Sequence, residues 1–109
     1  MIQVTVFRNS NGDYRGFHVA GHAGYAEFGY DIICAAVSVL TINTVNAIER
    51  FTEDAFTVDS DEELAEIDFR FTGTVSKESE LLMDTMVLGL QGLEDDNNEE
   101  YIDFIFEEV

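Results

Sequence analysis

Two runs near the start of the chain alternate between apolar and polar residues. They cover residues 2–7 and Tyr14–Ala20, and a polar cluster at residues 9–13 separates them. A period of two is typical of strands that bury one face, and a short polar segment with a glycine is typical of a tight turn. The sequence therefore predicts a β-hairpin, with His18 on the solvent side of its second strand and without a chemical role.

Residues 32–51 carry apolar side chains at the three- and four-residue spacing of an α-helix. Asp31 stands just before this segment and is predicted to be its N-cap, which places Cys34 at about the third helical position. The apolar run of about 17 residues is interrupted by serine, threonine and asparagine and is marginal for a membrane span. We interpret it as a buried helix, and its predicted core stripe is Ile33, Val37, Leu40, Thr44, Ile48 and Phe51.

The second half of the chain repeats the pattern of two strands followed by a helix. Residues 55–58 and 64–71 predict another hairpin, with an acidic turn at 59–62. Ser76 is predicted to cap a second helix that ends near Gly92. The predicted buried stripe of this helix is Leu82, Met86, Val87 and Leu90.

A last alternating segment, residues 102–106, follows an acidic loop at 94–100 and predicts a fifth strand. The element order is then ββαββαβ. This order predicts an α+β fold with a mixed, largely antiparallel sheet and two helices packed on it. A length of 109 residues without a linker predicts that residues 1–109 form a single domain.

Acidic residues dominate the charge of the chain. Five Lys and Arg stand against 23 Asp and Glu, and the formal net charge is −18. This charge disfavours direct binding to nucleic acid or to a membrane surface and favours a basic partner. Charge runs also serve solubility alone, and we expect the acidic patches at 59–63 and 94–100 to face only water. A single cysteine forms no internal disulfide and the N-terminal segment lacks the pattern of a secretory signal, so we expect a cytoplasmic protein.

Cys34 is the only cysteine in the chain, and its predicted place near a helix start favours a reactive thiolate. His22, directly after Gly21, is a candidate proton carrier, and backbone N–H groups near Cys34 are candidate oxyanion donors. By spacing alone, Cys34 as a buried core residue and His22 as an ordinary turn residue are open alternatives. One cysteine and two histidines lack the ligand pairs of a structural zinc site, so no metal is predicted.

Two further features surround this pair. The segment from Gly21 to Tyr30 contains three glycines and is predicted to form a mobile loop between the histidine and the cysteine. Ser38 lies one turn after Cys34, and its hydroxyl can bond within the site or, as we favour, to a carbonyl of its own helix. Asp31 likewise has two possible roles, capping the helix or orienting the histidine.

These residues together resemble a known signature. Gly-His-Ala-Gly at 21–24 and Gly-Tyr-Asp-Ile-Ile-Cys-Ala-Ala-Val-Ser at 29–38 match the pattern of the ribosomal-processing cysteine protease family, known as Prp. The resemblance extends to length and element order. It implies that Cys34 is the nucleophile and His22 the proton carrier, and it places supporting positions at Gly21, Asp31 and Ser38. It also implies a mobile substrate loop containing Ala23, Gly24, Tyr25, Phe28, Gly29 and Tyr30.

The resemblance further implies what such an enzyme does. It would be a homodimeric endopeptidase, without a cofactor, that removes the N-terminal extension of a basic large-subunit ribosomal protein, the one numbered twenty-seven. The resemblance implies cleavage after aromatic residues. The alternative hypothesis is a non-catalytic acidic module that binds a basic ribosomal protein during assembly, with Cys34 as core filler. Formation of a shortened product separates the two hypotheses.

Overall fold

The elements follow the predicted order and form the predicted mixed sheet with two helices. The computed structural model describes residues 1–21, 28–61, 66–96 and 101–109, with the backbone alone considered at 28–31. Within this part of the chain, the fold class is confirmed. The elements are β1 (Ile2–Arg8), β2 (Tyr14–Ala20), α1 (Phe28–Phe51), β3 (Phe56–Asp61), β4 (Glu66–Phe71), α2 (Lys77–Asp95) and β5 (Ile102–Glu108).

The sheet has the strand order β3-β4-β2-β1-β5. β1 pairs in parallel with β5 and antiparallel with β2, and β4 pairs antiparallel with both β2 and β3. In this register Gln3 lies opposite Ala20, and Val19 lies opposite Ile67. The start of β1, the end of β2 and the start of β4 therefore meet at one end of the sheet.

Both helices pack on one face of the sheet, and apolar residues of the two layers form the core. The strand residues Val4, Val6 and Phe17 are fully buried, as the alternating pattern predicts. The helices complete the core with Ile33, Val37 and Ile48 of α1 and with Met83, Met86 and Leu90 of α2.

Most of the predicted helix stripes are buried, and the exceptions are Leu40 and Phe51 of α1 and Leu82 of α2. In α1, Phe51 is 70% exposed because the helix ends there and the chain turns away towards β3. In α2, Leu82 is half-buried and the neighbouring Met83 is fully buried instead. α2 also continues past Gly92 to Asp95, so the predicted helix end at Gly92 is wrong. A glycine near a helix C-terminus is tolerated, and the Gly92 carbonyl accepts a hydrogen bond from the N–H of Asp96 at 3.2 Å.

The second hairpin differs from its prediction in the extent of β3. This strand runs to Asp61, so most of the predicted acidic turn at 59–62 belongs to the strand. Residues 62–65 lie outside the described residues. The carboxylates of β3 therefore lie on a fixed strand, in register with β4.

α1 combines a buried stripe with an exposed apolar face. Among the described residues it is the one helix with the length and composition of a membrane span, since Ile32–Phe51 has a mean hydropathy of 1.6. Ile33, Val37 and Ile48 of this stretch belong to the core cluster, as in the central helix of a globular domain. Val39, by contrast, is 67% exposed.

Candidate active site

Cys34 lies on α1 at the end of the sheet where β1 starts and β2 ends. Its side chain is 5% exposed and belongs to the core cluster, where it packs with apolar residues such as Ile33 and Val37. The thiol is thus largely shielded from bulk water, but on one side it borders a cavity.

The cavity beside Cys34 has a volume of about 290 Å³. Apolar residues from the sheet and from α1 form most of its lining, and the exposed residues Ser38, Ile42 and Asp61 give it an opening to solvent. A cavity of this size holds a large side chain and leaves the thiol accessible to a bound molecule. Its lining residues are Ile2, Val19, Cys34, Val37, Ser38, Thr41, Ile42, Ser60, Asp61, Glu66 and Ile67.

Gly21 closes β2 next to this cavity. Its φ angle is +98°, a backbone conformation that favours glycine, and a Cβ atom there would collide with the backbone carbonyl of Met1. His22 follows directly and lies outside the described residues, as do Ala23, Gly24 and Tyr25. The pairing of His22 with Cys34 therefore stays a prediction.

The start of α1 corrects two expectations about the residues before Cys34. The helix begins at Phe28, so Phe28, Gly29 and Tyr30 are helical in their backbone and do not belong to a loop. Asp31 is likewise inside the helix and is not its N-cap. An acidic residue is favourable in the first turn of a helix as well as at its N-cap, so its presence does not distinguish between the two positions.

The helix start also changes the surroundings expected for the thiol. Cys34 lies about two turns into α1, not near its third position. Only the first four N–H groups of an α-helix are unbonded within the helix, so the N–H of Cys34 is not an oxyanion donor by virtue of the helix start. The helix dipole also acts mainly within the first turn. The expectation of oxyanion donors at Cys34 from helix geometry is therefore wrong.

Ser38 is exposed and lines the cavity one turn after Cys34. Its backbone carbonyl accepts a hydrogen bond from the hydroxyl of Thr41 at 3.3 Å, and the same hydroxyl donates to the Val37 carbonyl at 2.8 Å. Thr41 is thus a cavity residue whose hydroxyl is bonded to its own helix. The role of the Ser38 hydroxyl stays a prediction.

His18 lies on the face of the sheet opposite the helices. Its Nδ1 is 3.0 Å from Oδ2 of Asp68, and Arg70 donates to the same carboxylate at 2.9 Å. Partial burial acts to raise the pKa of Asp68, but the hydrogen bonds from Arg70 and His18 outweigh it, and the net pKa lies below its usual range. Within the described ranges, no group of three His, Cys, Asp or Glu residues is arranged to hold a metal ion.

The hairpin of β3 and β4 contributes to the cavity in a way that the sequence did not predict. Asp61 and Glu66 lie opposite each other across these strands, and both line the cavity that contains the thiol. No local motif marks them, because they reach Cys34 only through the pairing of β4 with β2. Only the strand pairing of the sheet identifies these two residues as part of the cavity, since their spacing along the chain does not.

Comparison with known proteins agrees with this fold. The family model described as cysteine protease Prp matches residues 1–103. The chain belongs to the Prp cysteine protease family. It is 32% identical over 99 residues to the ribosomal processing cysteine protease Prp of Staphylococcus aureus, covering 91% of this chain and 93% of that protein. It is 30% identical over 100 residues to the Prp of Bacillus subtilis, covering 88% and 89%.

Solved Prp structures share the whole architecture. The S. aureus Prp crystallised with a substrate peptide matches with a TM-score of 0.90 and 29% identity, covering 98% of this chain and 100% of that one. The S. aureus Prp with a covalently linked product peptide matches with a TM-score of 0.87 and 30% identity, at the same coverage. The chain is therefore a cysteine protease, and the predicted family is confirmed.

Proposed function

We propose that Cys34 is the nucleophile of this protease and that His22 carries its protons. The observation that supports the first assignment is that a cysteine protease needs a reactive cysteine, and Cys34 is the only cysteine in this sequence. Its position beside a cavity that opens to solvent gives a substrate access to the sulfur. His22 is assigned by the family signature, with Gly21, Asp31 and Ser38 as supporting residues.

The chemistry then follows from a thiol and an imidazole. His22 takes the thiol proton of Cys34 as the sulfur attacks the carbonyl carbon of the scissile peptide bond, and a tetrahedral intermediate forms. The C–N bond breaks as His22 gives a proton to the leaving amine nitrogen, and a thioester remains on Cys34. His22 then takes a proton from a water molecule as its oxygen attacks the thioester carbon. The C–S bond breaks, the proton returns from His22 to the Cys34 sulfur, and the acid product is released.

The proposed preference for cleavage after aromatic residues is supported by the lining of the cavity. Ile2, Val19 and Ile67 of the sheet face Val37 and Ile42 of α1 across it. Burying a phenylalanine side chain against such a lining is worth roughly 1.5 to 3 kcal/mol. A volume of about 290 Å³ also accommodates one aromatic side chain with room to spare.

We propose a basic ribosomal protein as the substrate, the large-subunit protein numbered twenty-seven, from which the enzyme removes an N-terminal extension. The Prp proteins of S. aureus and B. subtilis are named as ribosomal processing proteases. The net charge of −18 favours encounter with a strongly basic chain. Ribosomal proteins of this kind are cytoplasmic, so we propose the same compartment for the enzyme.

A homodimer is part of the proposal. The outward face of α1 carries Ile32, Val39 and Ile42, which are 51%, 67% and 48% exposed. Apolar residues grouped on one helix face are typical of a surface that meets another protein. Sedimentation of the protein as a monomer at micromolar concentration would contradict this part of the proposal.

Replacement of the cysteine tests the central assignment. Cys34→Ala should abolish cleavage of a ribosomal protein that carries an aromatic-containing N-terminal extension, while the thermal unfolding midpoint stays near that of the wild type. Mass spectrometry of the substrate measures the product, and Glu49→Ala, an exposed change on the same helix, serves as the control. Cleavage by Cys34→Ala at the wild-type rate would refute the nucleophile. Binding of the substrate without any product from the wild type would contradict the proposed substrate.

A further inference from the structure

β3 forms one edge of the sheet, so one side of its backbone faces away from the other strands. The carbonyl of Ala55, just before β3, accepts a hydrogen bond from the N–H of Thr72 at 2.9 Å. This pair continues the register of β3 with β4, in which hydrogen-bonded residues alternate, so the odd-numbered residues of β3 bond to β4. The residues whose N–H and C=O groups face the free side are Phe56, Val58 and Ser60.

The two edges of the sheet differ in what their backbone groups bond to. At the edge formed by β5, the N–H of Phe104 donates to a carboxylate oxygen of Glu94, from the end of α2, at 2.9 Å. Within the described part of the chain, the edge-facing N–H groups of Val58 and Ser60 have no such acceptor. Unpaired backbone groups along a strand edge are a template for pairing with another chain.

The free edge of β3 leads into the cavity beside Cys34. Ser60 lines this cavity, and Phe56 and Val58 lie on the same face of the strand because side chains alternate. Phe56 packs on Phe69, with ring centroids 5.0 Å apart, whereas Val58 is 49% exposed. An extended chain that leaves the cavity alongside Ser60 thus meets unbonded backbone groups and an uncovered apolar side chain.

We propose that the substrate pairs with the free edge of β3 as an added strand while its scissile bond lies at Cys34. This inference rests on the proposed function, because it describes how the same site holds its substrate. Main-chain hydrogen bonds of an added strand give affinity, and the side chains beside it give specificity. The segment that pairs is the basic chain next to the scissile bond, since the enzyme has a net charge of −18 and β3 carries Asp59.

A second copy of the chain is the other possible occupant of this edge. Two β3 strands paired in antiparallel would bring their Asp59 side chains close together, and like charges at such positions are destabilising. A net charge of −18 on each copy adds to this repulsion. A basic peptide is attracted by the same charges, so the edge favours a substrate over a second copy.

Amide hydrogen exchange tests the pairing directly. It is measured by NMR on the Cys34→Ala protein, alone and saturated with a peptide that has a central phenylalanine and alternating lysine and threonine on both sides. The N–H groups of Val58 and Ser60 should exchange at least about tenfold more slowly with the peptide bound, because hydrogen bonding protects an amide from exchange. The N–H of Glu108, on β5 at the opposite edge, is the control and should keep its rate.

Two substitutions at Val58 separate the backbone from the side chain. Val58→Pro removes the edge-facing N–H, and proline is tolerated on an edge strand where this group faces solvent. Val58→Thr keeps the N–H and a branched side chain of similar size. In the Cys34→Ala protein, Val58→Pro should weaken binding of the same peptide about three- to tenfold in fluorescence anisotropy, and Val58→Thr less than about twofold.

The inference is overturned if the peptide does not bind, or if it binds without slowing exchange at Val58 and Ser60. Equal slowing at Glu108, or an equal loss of binding in the two Val58 variants, would overturn it as well. If Val58→Pro does not fold, the exchange measurement decides alone. Cleavage of the peptide by the protein with Cys34 intact, without slowed exchange, would refute the added strand and leave the proposed function standing. Slowed exchange without cleavage would refute the proposed function alone.

Discussion

Gly21 joins the backbone of the sheet to the residue that the signature assigns as proton carrier. Its φ of +98° and the approach of Met1 leave no room for a side chain. We predict that Gly21→Ala destabilises the fold by about 2 kcal/mol and lowers cleavage at least tenfold, because the end of β2 must shift. Urea unfolding and peptide cleavage measure the two effects.

Gly12 provides a matched control for this change. It also has a positive φ, +84°, but a Cβ there meets no atom within 4 Å. Gly12→Ala should therefore cost about 1 kcal/mol from backbone strain alone and leave cleavage unchanged. If Gly21→Ala is no more harmful than Gly12→Ala in either measurement, the close approach to Met1 has no role in the site.

Single residues also show what the sequence could predict of the site. Cys34 is predicted as the nucleophile because it is the only cysteine in the chain and stands within a dense signature, and the structure places it beside a cavity. Asp31 was misplaced because an acidic residue is compatible with a cap and with a first turn, and the helix in fact begins at Phe28. Asp61 and Glu66 were missed because their contribution depends on strand pairing between distant segments.

At the scale of elements, the start of α2 is stabilised by a carboxylate from outside the helix. Ser76 caps the helix as predicted, accepting from the N–H of Ser79 at 3.2 Å. Asp54, in the connection before β3, accepts from the N–H and hydroxyl of Ser76 at 2.9 and 2.7 Å and from the hydroxyl of Ser79. One carboxylate thus fixes both the cap and the first turn.

Replacing this carboxylate should loosen the helix start. We predict that Asp54→Asn lowers the free energy of unfolding by about 1 to 2 kcal/mol, because a neutral amide oxygen in the place of Oδ2 is a weaker acceptor for the three donors that meet there. Urea denaturation at pH 7 measures the loss. Glu53→Gln, one residue earlier and exposed, is the control and should have little effect. An equal loss in both variants would contradict the role given to Asp54.

The same carboxylate predicts a pH dependence of stability. Burial acts to raise the pKa of Asp54, but hydrogen bonds from Ser79 and Ser76 outweigh it and the net pKa is lowered. A carboxyl with a lowered folded-state pKa stabilises the fold above its unfolded value, about 3.9, and this stabilisation is lost as pH falls through the folded-state pKa. The difference in stability between wild type and Asp54→Asn should therefore shrink as the pH falls below about 4. A difference that stays constant over this range would show that Asp54 does not titrate as proposed.

Across the whole molecule, the sequence predicted the element order and fold class but not the arrangement of the strands. Periodicity is a local property, and it identified each strand from its own residues. The interior position of β1, with β5 in parallel beside it at the edge of the sheet, depends on pairing between the two ends of the chain. The set of residues that line the cavity beside Cys34 follows from this strand order, so local sequence patterns could not predict it.

The net charge of −18 acts on the fold and on substrate binding with opposite signs. Repulsion among carboxylates destabilises the compact chain, whereas attraction to a basic peptide is favourable, and salt screens both. We predict that raising NaCl from about 20 to 200 mM increases the thermal unfolding midpoint while it raises KM for a lysine-containing peptide. The rise in midpoint should be steepest below about 0.2 M, because most of the decrease in the Debye length occurs at low salt. KM for a neutral peptide should change little. A midpoint that falls with salt would show that ion pairs such as that of Arg70 and Asp68 outweigh the repulsion. An equal change in KM for the two peptides would show that charge does not guide the substrate.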